Sequence, residues 1–521
     1  MKILRSMKST IVTCCGLNFS FVMFFVFLIG CAPQESKSPN IMIIFPDQFR
    51  QYSLGFWSQD GNEQYLQGNA DPVSTPALDK LASEGIVFSR SVSNFPLCSP
   101  YRGMLLSGMY PDKNGLTNNC RADREVHLKT ETVCITDVMA KAGYNVSYFG
   151  KCHWHKTEPL FDENGTFIGS TEAPGGQYIN RYDTYVPPGI SRHGIDYFFQ
   201  ALKDDHFNPL VYSSDPQAND GKKDGELNMP GRFSSELEAE KIMDYLSNTR
   251  EQRDPAKPFL MMWSLNPPHN PWIEESTYMD FYNQYTESGN VNIERLLTHE
   301  NADTIKGNYA PYYFANVSAV DHFIGKVLDH LDDLGLAENT IIVFSSDHGE
   351  MLGSHGLSGK NVPEIEAYSI PFIIKWGNKL QHRVEDLILS VPDVMPTLLG
   401  LANLNKLIPR GVQGNDYTSI LMNEANTNIK AAKSALFINA KSRGVYTGKY
   451  MFVVEEINGV FSDAFCYNNE VDPEQLNRIS IDNMDQELTN ELRGELYALL
   501  KSTEDRWFTE GICADFFLIT K

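Results

Sequence analysis

Basic residues are scarce in this chain relative to acidic ones. Its 521 residues include 44 Lys and Arg against 66 Asp and Glu, which gives a net charge of −22 with His neutral. Nucleic acid and anionic membrane surfaces repel so acidic a protein, so neither is expected as a partner. The sequence also lacks internal repeats, low-complexity tracts and any Cys-x-x-Cys pair. These absences argue against a repeat architecture and against a structural zinc site of that type.

Long apolar runs are missing too, except near the start of the chain. A basic N-terminus precedes an apolar stretch over about residues 17–29, which is shorter than the roughly 20 residues that a spanning helix needs. The stretch ends in Leu28-Ile29-Gly30-Cys31, which resembles a bacterial lipobox. We therefore predict a lipoprotein signal peptide over residues 1–30 and a tether over residues 31–39. The protein would be an exported bacterial lipoprotein, membrane-anchored through lipid on Cys31; an uncleaved membrane anchor is the alternative.

Apolar runs and helical patterns alternate along most of the remaining chain. Short apolar runs at 40–45, 144–149, 258–265 and 341–346 predict buried strands, and 3.6-residue periodicity predicts helices between them. Residues 86–92 alternate like one further strand, which leads to the turn before Cys98. This alternation predicts an α/β domain over residues 40–403, with a large, mixed, mostly parallel central sheet flanked by helices. Short runs at hairpin-like spacing and one helical pattern predict a smaller α+β domain over residues 404–521, built on an antiparallel sheet.

Polar residues follow four of the predicted buried strands. They are Asp47 and Gln48, Lys151 and His153, His269, and Asp347 and His348. Lys151 and His153, two positions apart, would point to the same side of an extended chain. Ligands bind at the carboxyl ends of such strands, and carboxylate and amide oxygens suit a hard divalent cation. Other roles remain open for single residues: Asp47 in a turn, Lys151 and His153 at a solvated surface, and His269 in stabilising its Pro-rich loop.

One short stretch carries a candidate nucleophile. Cys98 is predicted as the N-cap of a helix, with Arg102 one turn later and an apolar run beyond it. The N-terminus of a helix favours an anion, so the group bound beside Cys98 should be an oxyanion. A buried structural cysteine next to an ion-paired arginine is the alternative, because free cysteines are often buried.

These residues resemble the motifs of a known family. Cys98-x-Pro100-x-Arg102, followed by Ser107-Gly108, resembles the activation signature of the type I sulfatases, relatives of alkaline phosphatase. The further resemblances, in chain order, are Gly150-Lys151-x-His153, Pro267-Pro268-His269, Ser346-Asp347-His348-Gly349 and the later Lys360. The chain departs from the commonest family pattern at Gln48, Ser107 and His348, which leaves the ligand set of the metal in question.

The resemblance implies an alkaline-phosphatase-like fold and a sulfuric ester hydrolase. A separate maturing enzyme would oxidise Cys98 to formylglycine, whose hydrated aldehyde attacks sulfur. The implied ligands of Ca²⁺, or of Mg²⁺, are Asp47, Gln48, residue 98, Asp347 and His348. Arg102, Lys151 and Lys360 would stabilise charge on the sulfate, His269 would protonate the leaving alcohol, and His153 would accept a proton during release of sulfate.

The substrate expected from this resemblance is a sulfated glycan or a small sulfate ester. Arg181, Arg192, His193 and His206 lie in a Gly-, Asn- and Asp-rich stretch and are candidate substrate contacts. Two other functions remain open at this point. One is a phosphodiesterase or phosphonate monoester hydrolase on the same scaffold, and the other is a non-catalytic, glycan-binding surface lipoprotein.

Overall fold

The computed structural model describes residues 38–156, 166, 183–202, 206–287, 289–424 and 430–517. The predicted signal peptide, the lipidation site Cys31 and Arg181 lie outside these residues. No helix within the described ranges is both long and apolar enough to cross a membrane.

The strands that the structure describes are two to nine residues long. They are β1 (Asn40–Ile44), β2 (Ile86–Phe88), β3 (Ser91–Val92), β4 (Asn145–Gly150), β5 (Tyr197–Ala201), β6 (Val211–Ser213), β7 (Phe259–Ser264), β8 (Thr340–Phe344), β9 (Ile373–Lys375), β10 (Arg383–Glu385), β11 (Leu389–Ser390), β12 (Ala435–Ile438), β13 (Ser442–Tyr446), β14 (Tyr450–Ile457), β15 (Val460–Asn468) and β16 (Ile479–Ser480).

A nine-stranded sheet in the described part of the chain has the order β10-β2-β9-β8-β1-β7-β4-β5-β6. Its centre is parallel, because β1 pairs in parallel with both β7 and β8, and β4 pairs in parallel with both β5 and β7. The antiparallel pairs involve β9 and the edge strand β6. Every residue of β1, β7 and β8 is buried. The predicted large, mixed, mostly parallel sheet is confirmed.

Helices cover the sheet, and the longer ones agree with the predicted periodicity. Those described are α1 (Pro76–Glu84), α2 (Cys98–Ser107), α3 (Pro111–Asn114), α4 (Ile135–Lys141), α5 (Ser234–Ser247), α6 (Met279–Tyr282), α7 (Ile293–Leu296), α8 (Ala310–Asp333), α9 (Ile365–Tyr368), α10 (Val391–Leu401), α11 (Thr418–Leu421), α12 (Gln486–Ser502), α13 (Arg506–Thr509) and α14 (Ala514–Phe517). In α8, Val317, Val320, Ile324 and Val327 are fully buried at i, i+3 and i+4 spacing.

The C-terminal part forms an antiparallel sheet in the order β12-β13-β14-β15-β16, with α12 in contact with β12 and β13. This confirms the predicted antiparallel sheet with one packed helix. The boundary at residue 404 stays a prediction, because residues Ser38–Lys521 cluster as one unit.

Two local predictions differ from the structure. The sequence predicted one strand over 86–92, but β2 and β3 belong to different sheets, with β3 paired to β11. Cys98 was predicted as an N-cap, but the N-cap is Leu97, whose extended backbone (φ −153, ψ 139) places Cys98 at the first helical position. The shift of one residue keeps the Cys98 side chain at the N-terminal end of α2.

Candidate active site

Four neighbouring strands of the central sheet end side by side, and a polar residue follows each of them. In the order β8, β1, β7 and β4, these residues are Asp347, Asp47, His269 and Lys151. The carboxyl ends of parallel strands meet at one edge of a sheet, so residues far apart in the sequence become neighbours there. The structure therefore brings together the strand-end residues that the sequence predicted.

Asp47 lies at the centre of this cluster and is fully buried. Its Oδ2 accepts hydrogen bonds from Lys151 Nζ and from Arg102 Nη2, the latter at 3.2 Å. Its Oδ1 lies 3.7 Å from His348 Nε2 and 3.9 Å from His269 Nε2. Burial opposes ionisation, but Lys151 and the two imidazoles hold the pKa of Asp47 well below its usual range. Asp47 is therefore a buried carboxylate with one oxygen on cations and the other facing the cluster.

Asp347 is the second buried carboxylate. Its Oδ2 accepts from Arg102 Nη2 at 3.3 Å, and its Oδ1 accepts from the backbone N–H of Gln48 at 2.9 Å. Burial and the negative charge of Asp47 raise the pKa of Asp347 above its ordinary value. Two carboxylates held this close favour a cation between them.

His348 presents one defined ring nitrogen to the cluster. Its Nδ1 donates to the Gly349 carbonyl at 3.0 Å, so the neutral ring carries its lone pair on Nε2. Nε2 lies 3.5 Å from Asp347 Oδ1 and 3.3 Å from Cys98 Sγ. Burial opposes the charged form, yet the neighbouring Asp347 raises the pKa of His348. His348 Nε2 is therefore oriented as a ligand atom.

Cys98 enters the cluster from the N-terminus of α2. Its thiol points to Asp47 Oδ1 at 3.8 Å, and the residue is 2% exposed. Burial and Asp47 raise the pKa of Cys98, but Lys151, Lys360 and His348 outweigh them and lower it well below its ordinary value. Cys98 is not part of the apolar core clusters. The alternative of a purely structural cysteine does not fit this polar environment.

Arg102 lies one turn after Cys98 on α2 and is 1% exposed. Besides bridging Asp47 and Asp347, its Nη1 donates to the Lys151 carbonyl at 2.8 Å and to Ser264 Oγ. The planar guanidinium thus joins α2 to the ends of four strands, β1, β4, β7 and β8, and balances charge on both carboxylates.

His153 adopts a conformation that the sequence did not predict. Lys151 and His153 were expected on one side of an extended chain, but His153 has φ +53. Its Nε2 donates to the Cys120 carbonyl at 3.0 Å, which leaves the lone pair on Nδ1. Nδ1 is buried and has no hydrogen-bond partner among the residues that the structure describes. This nitrogen is therefore able to accept a proton from a group bound nearby.

His269 and Lys360 lie in contact with each other. Nδ1 of His269 donates to the Asn270 carbonyl at 2.8 Å, so its Nε2 faces the cluster. Lys360 Nζ lies 3.0 Å from that Nε2 and also donates to Gln48 Oε1 at 2.6 Å. The sequence predicted a role for each residue but gave no sign that the two side chains meet.

Gln48 connects the cluster to a residue for which the sequence analysis gave no role. Its backbone has φ +68, and its side-chain Nε2 donates to Glu350 Oε2. Glu350 and Ser264 are the two site neighbours that sequence reasoning missed. Glu350 had a signal, since it directly follows the quoted motif Ser346-Asp347-His348-Gly349, whereas Ser264 had none.

The donor set fits a divalent cation. Asp47, Cys98, Asp347 and His348 are all buried, and one potential ligand atom of each lies within 4.8 Å of the others. Two carboxylates and an imidazole suit a hard cation such as Ca²⁺ or Mg²⁺ better than a metal that prefers thiolate ligands.

The candidate substrate contacts from the irregular stretch make internal contacts instead. Arg192 forms a bidentate pair with Asp224 at 2.7 and 2.8 Å and donates through Nε to the Val186 carbonyl. His193 is buried 3.5 Å from Asp137, and His206 Nδ1 lies 2.9 Å from the Ser276 carbonyl. These contacts give the side chains roles in holding their own loops.

Comparison with known proteins agrees with this geometry. The model of the Sulfatase family matches residues 39–404. The chain is 35% identical to an endo-4-O-sulfatase of Bacteroides thetaiotaomicron, over 92% of this chain and 96% of the relative. It is 30% identical to an ulvan-active sulfatase of Formosa agariphila, over 97% of this chain and 90% of the relative.

A solved structure described under the metabolism of multiple glycosaminoglycans by Bacteroides thetaiotaomicron has the same fold. It superposes with a TM-score of 0.84 at 35% identity, covering 92% of this chain and all of the other. The family model and the relatives extend over the α/β part that carries the cluster around Cys98. The chain therefore belongs to the sulfatase family, as its motifs predicted, and is a sulfuric ester hydrolase.

Proposed function

We propose that this sulfatase removes sulfate from sulfated glycans, using formylglycine made from Cys98 and a divalent cation, Ca²⁺ or Mg²⁺. The observation that carries the proposal is the position of the Cys98 thiol, whose sulfur lies among the potential ligand atoms of Asp47, Asp347 and His348. That sulfur stands in for an oxygen of the modified residue. A sulfatase-maturing enzyme is the partner that this modification requires.

Asp47, Gln48, residue 98, Asp347 and His348 would hold the cation, which supplies Lewis acidity towards a sulfate oxygen when bound, while the aldehyde hydrate supplies the nucleophilic hydroxyl. The rest of the catalytic effect would come from side chains whose positions are already fixed in the structure. Their charges and hydrogen bonds do not need to reorganise during the reaction, which is the main source of electrostatic stabilisation in enzymes.

Three cations would stabilise charge on the sulfate group. Arg102 and Lys151 are buried against Asp47, and Lys360 contacts Gln48 and His269. The acidic protein thereby has a locally basic pocket where a sulfate ester binds. Lys360 is half-buried, so it contacts the group that enters the pocket more readily than Arg102 does.

Two histidines would move protons. In its doubly protonated form, His269 would donate the Nε2 proton to the leaving alcohol, while its Nδ1 stays hydrogen-bonded to the Asn270 carbonyl. His153 accepts a proton at Nδ1, because its Nε2 is fixed on the Cys120 carbonyl. A backbone carbonyl binds one nitrogen of each ring, so only the other nitrogen is available for proton transfer.

The relatives support a carbohydrate substrate and suggest a position of attack. The endo-4-O-sulfatase shares 35% identity over nearly the whole chain, which supports hydrolysis of 4-O-sulfate within a glycan chain. The ulvan-active relative supports a glycan more generally. Export as a lipoprotein anchored through Cys31 also belongs to this proposal, and it suits an enzyme that meets polymeric glycans outside the cytoplasm.

The proposal is tested with enzyme produced together with a maturing enzyme. We expect the peptide that contains Cys98 to have lost its thiol and to react with carbonyl reagents, and we expect turnover to scale with the aldehyde content. Screening 4-O- and 6-O-sulfated oligosaccharides tests which sulfate position on the sugar is hydrolysed. A matched pair of aryl sulfate and aryl phosphodiester tests whether the enzyme is a phosphodiesterase instead. Preferred release of sulfate from internal 4-O-sulfated sugars is the expected result.

Cys98→Ala is the matched control. It should be inactive but folded, because Cys98 borders the polar cluster and contributes little to the apolar core. Full turnover by protein whose Cys98 thiol is intact would overturn the mechanism. Faster hydrolysis of the phosphodiester than of the aryl sulfate would overturn the proposed reaction.

A further inference from the structure

Glu350 is a fully buried carboxylate that lies behind Gln48, outside the set of proposed metal ligands. Its Oε2 accepts from Gln48 Nε2. Its Oε1 accepts from the Tyr309 hydroxyl, from the Gly359 N–H at 2.7 Å and from the Leu352 N–H at 3.2 Å. The carboxylate is therefore held rigidly by neutral donors, with one oxygen reserved for Gln48.

This contact decides which way the Gln48 amide faces. A carboxylate accepts hydrogen bonds and donates none, so the NH₂ end of the amide must turn towards Glu350. The oxygen end then faces the opposite side, where Oε1 accepts from Lys360 Nζ at 2.6 Å. The backbone N–H of Gln48 is anchored on Asp347 Oδ1. If residue 350 could also donate, as a glutamine would, the amide could rotate and present its NH₂ group to a cation.

The same contact bears on the charge of the site. Gln48 is neutral at a position next to the proposed cation, and Glu350 carries a negative charge one hydrogen bond further out. A carboxylate that accepts from the NH₂ group draws electron density towards the amide oxygen, which makes that oxygen a better ligand. Glu350 therefore supplies, through the amide, part of the negative charge that Gln48 lacks.

We propose that Glu350 is a positioning residue of this sulfatase: it fixes Gln48 with Oε1 towards the cation and strengthens that oxygen as a ligand. The inference rests on the proposed cation site, and it adds a residue and a role to that site. It predicts that Glu350 affects the cation only through Gln48.

The first experiment measures calcium affinity by isothermal titration calorimetry, independently of turnover. Glu350→Gln should weaken calcium binding by about 10- to 100-fold. Gln48→Ala should also weaken it, and Glu350→Gln should cause no further loss in the Gln48→Ala background. Glu238→Gln is the matched control, because Glu238 is an equally buried carboxyl bound to Trp263 Nε1 and lies outside the cluster. It should leave calcium affinity unchanged.

The second experiment exchanges the two groups across their hydrogen bond. Gln48→Glu alone places two carboxylates in contact, so the melting temperature of the metal-free protein should fall. Combining Gln48→Glu with Glu350→Gln restores one donor and one acceptor, and it should recover both the melting temperature and calcium binding. If Glu350→Gln alone does not fold, recovery of folded protein by the double variant supports the inference in the same way.

The outcomes separate this inference from the proposed function. If the wild type binds no calcium or magnesium, the proposed cation site is wrong and the role of Glu350 falls with it. A second outcome is that the wild type binds calcium and the double variant loses affinity by the product of the losses in Glu350→Gln and Gln48→Ala. In that case Glu350 does not act through Gln48. A Gln48→Glu variant as stable as the wild type would also overturn the inference, since the two side chains would then not be in contact.

Discussion

Replacement of His269 by alanine tests most directly whether different residues protonate the leaving alcohol and bind the sulfate group. The ring is 3% exposed, and its Nε2 has Lys360 Nζ at 3.0 Å and Asp47 Oδ1 at 3.9 Å. A general acid matters in proportion to how poorly the alcohol leaves. A sugar alcohol needs the proton, whereas a nitrophenolate hardly needs it. His269→Ala should therefore be selective between these two leaving groups.

The contact with Lys360 sets the expected magnitude. Loss of a general acid costs about 10²- to 10⁴-fold in rate. In His269→Ala, Lys360 still offers an N–H to the pocket, so we expect the lower part of that range, about 10²- to 10³-fold in kcat/KM on a sulfated sugar. This corresponds to about 2.7–4.1 kcal/mol of transition-state stabilisation. On 4-nitrophenyl sulfate the loss should stay below about tenfold.

The assay compares kcat/KM on both substrates for the wild type, His269→Ala and Lys360→Ala. Lys360→Ala is the matched control. Both substrates contain the sulfate group that Lys360 is proposed to bind, so its loss should slow their hydrolysis by similar factors. Equal losses on both substrates for His269→Ala would remove His269 from the acid role. Its remaining role would then be to stabilise the loop through its hydrogen bond to Asn270.

Three further predictions concern the metal, the buried arginine and a buried acid away from the site. Exhaustive chelation should abolish turnover and added Ca²⁺ or Mg²⁺ should restore it, because the proposed ligands are oxygens and one imidazole; turnover that survives chelation would exclude the assignment of Asp47 and Asp347. Arg102→Met should lower the free energy of unfolding of chelated protein by about 3–5 kcal/mol, because two buried carboxylates lose the guanidinium that bridges them; a denaturant midpoint equal to that of the wild type would contradict this. Burial raises the pKa of Glu238 to about 8, so the folded protein keeps this proton up to about pH 8 while the unfolded chain releases it near pH 4–5, and wild-type stability falls as pH rises between those values. In Glu238→Gln that loss is absent, so the variant should gain up to about 1.4 kcal/mol of relative stability per pH unit over this interval, measured by denaturant unfolding at several pH values; a stability difference that does not change with pH would refute the raised pKa.

Residues at the strand ends were predictable because their signals are local. Asp47, Lys151, His269 and Asp347 each follow a continuous apolar run, and such runs predict strands buried on both faces. The parallel arrangement alone places them at one edge of the sheet, and the strand order then decides which of them are neighbours. Helix α8 and the antiparallel C-terminal sheet were predictable for the same reason, because their hydrophobic patterns are visible within short segments of the sequence.

Other features depend on contacts that no local pattern contains. Arg192 was a candidate substrate contact, but its guanidinium is fully engaged by Asp224 and the Val186 carbonyl. The stretch over residues 86–92 alternates like one strand, yet it divides between two sheets because β3 pairs with β11. His153 leaves the extended conformation, and only its surroundings decide which ring nitrogen is free.

The sequence by itself determined the fold class, the family and the residues at the strand ends, because apolar periodicity and short motifs are properties of neighbouring positions. Tertiary structure alone decided the order β8-β1-β7-β4, the bridging of Asp47 and Asp347 by Arg102, and the contact of Lys360 with His269. It also decided the orientation of the Gln48 amide, since Glu350 lies far along the chain and meets Gln48 only when β1 and β8 pair. Hydrogen bonds and charge pairs act over a few ångströms in space, so their partners are fixed by packing and not by distance along the chain.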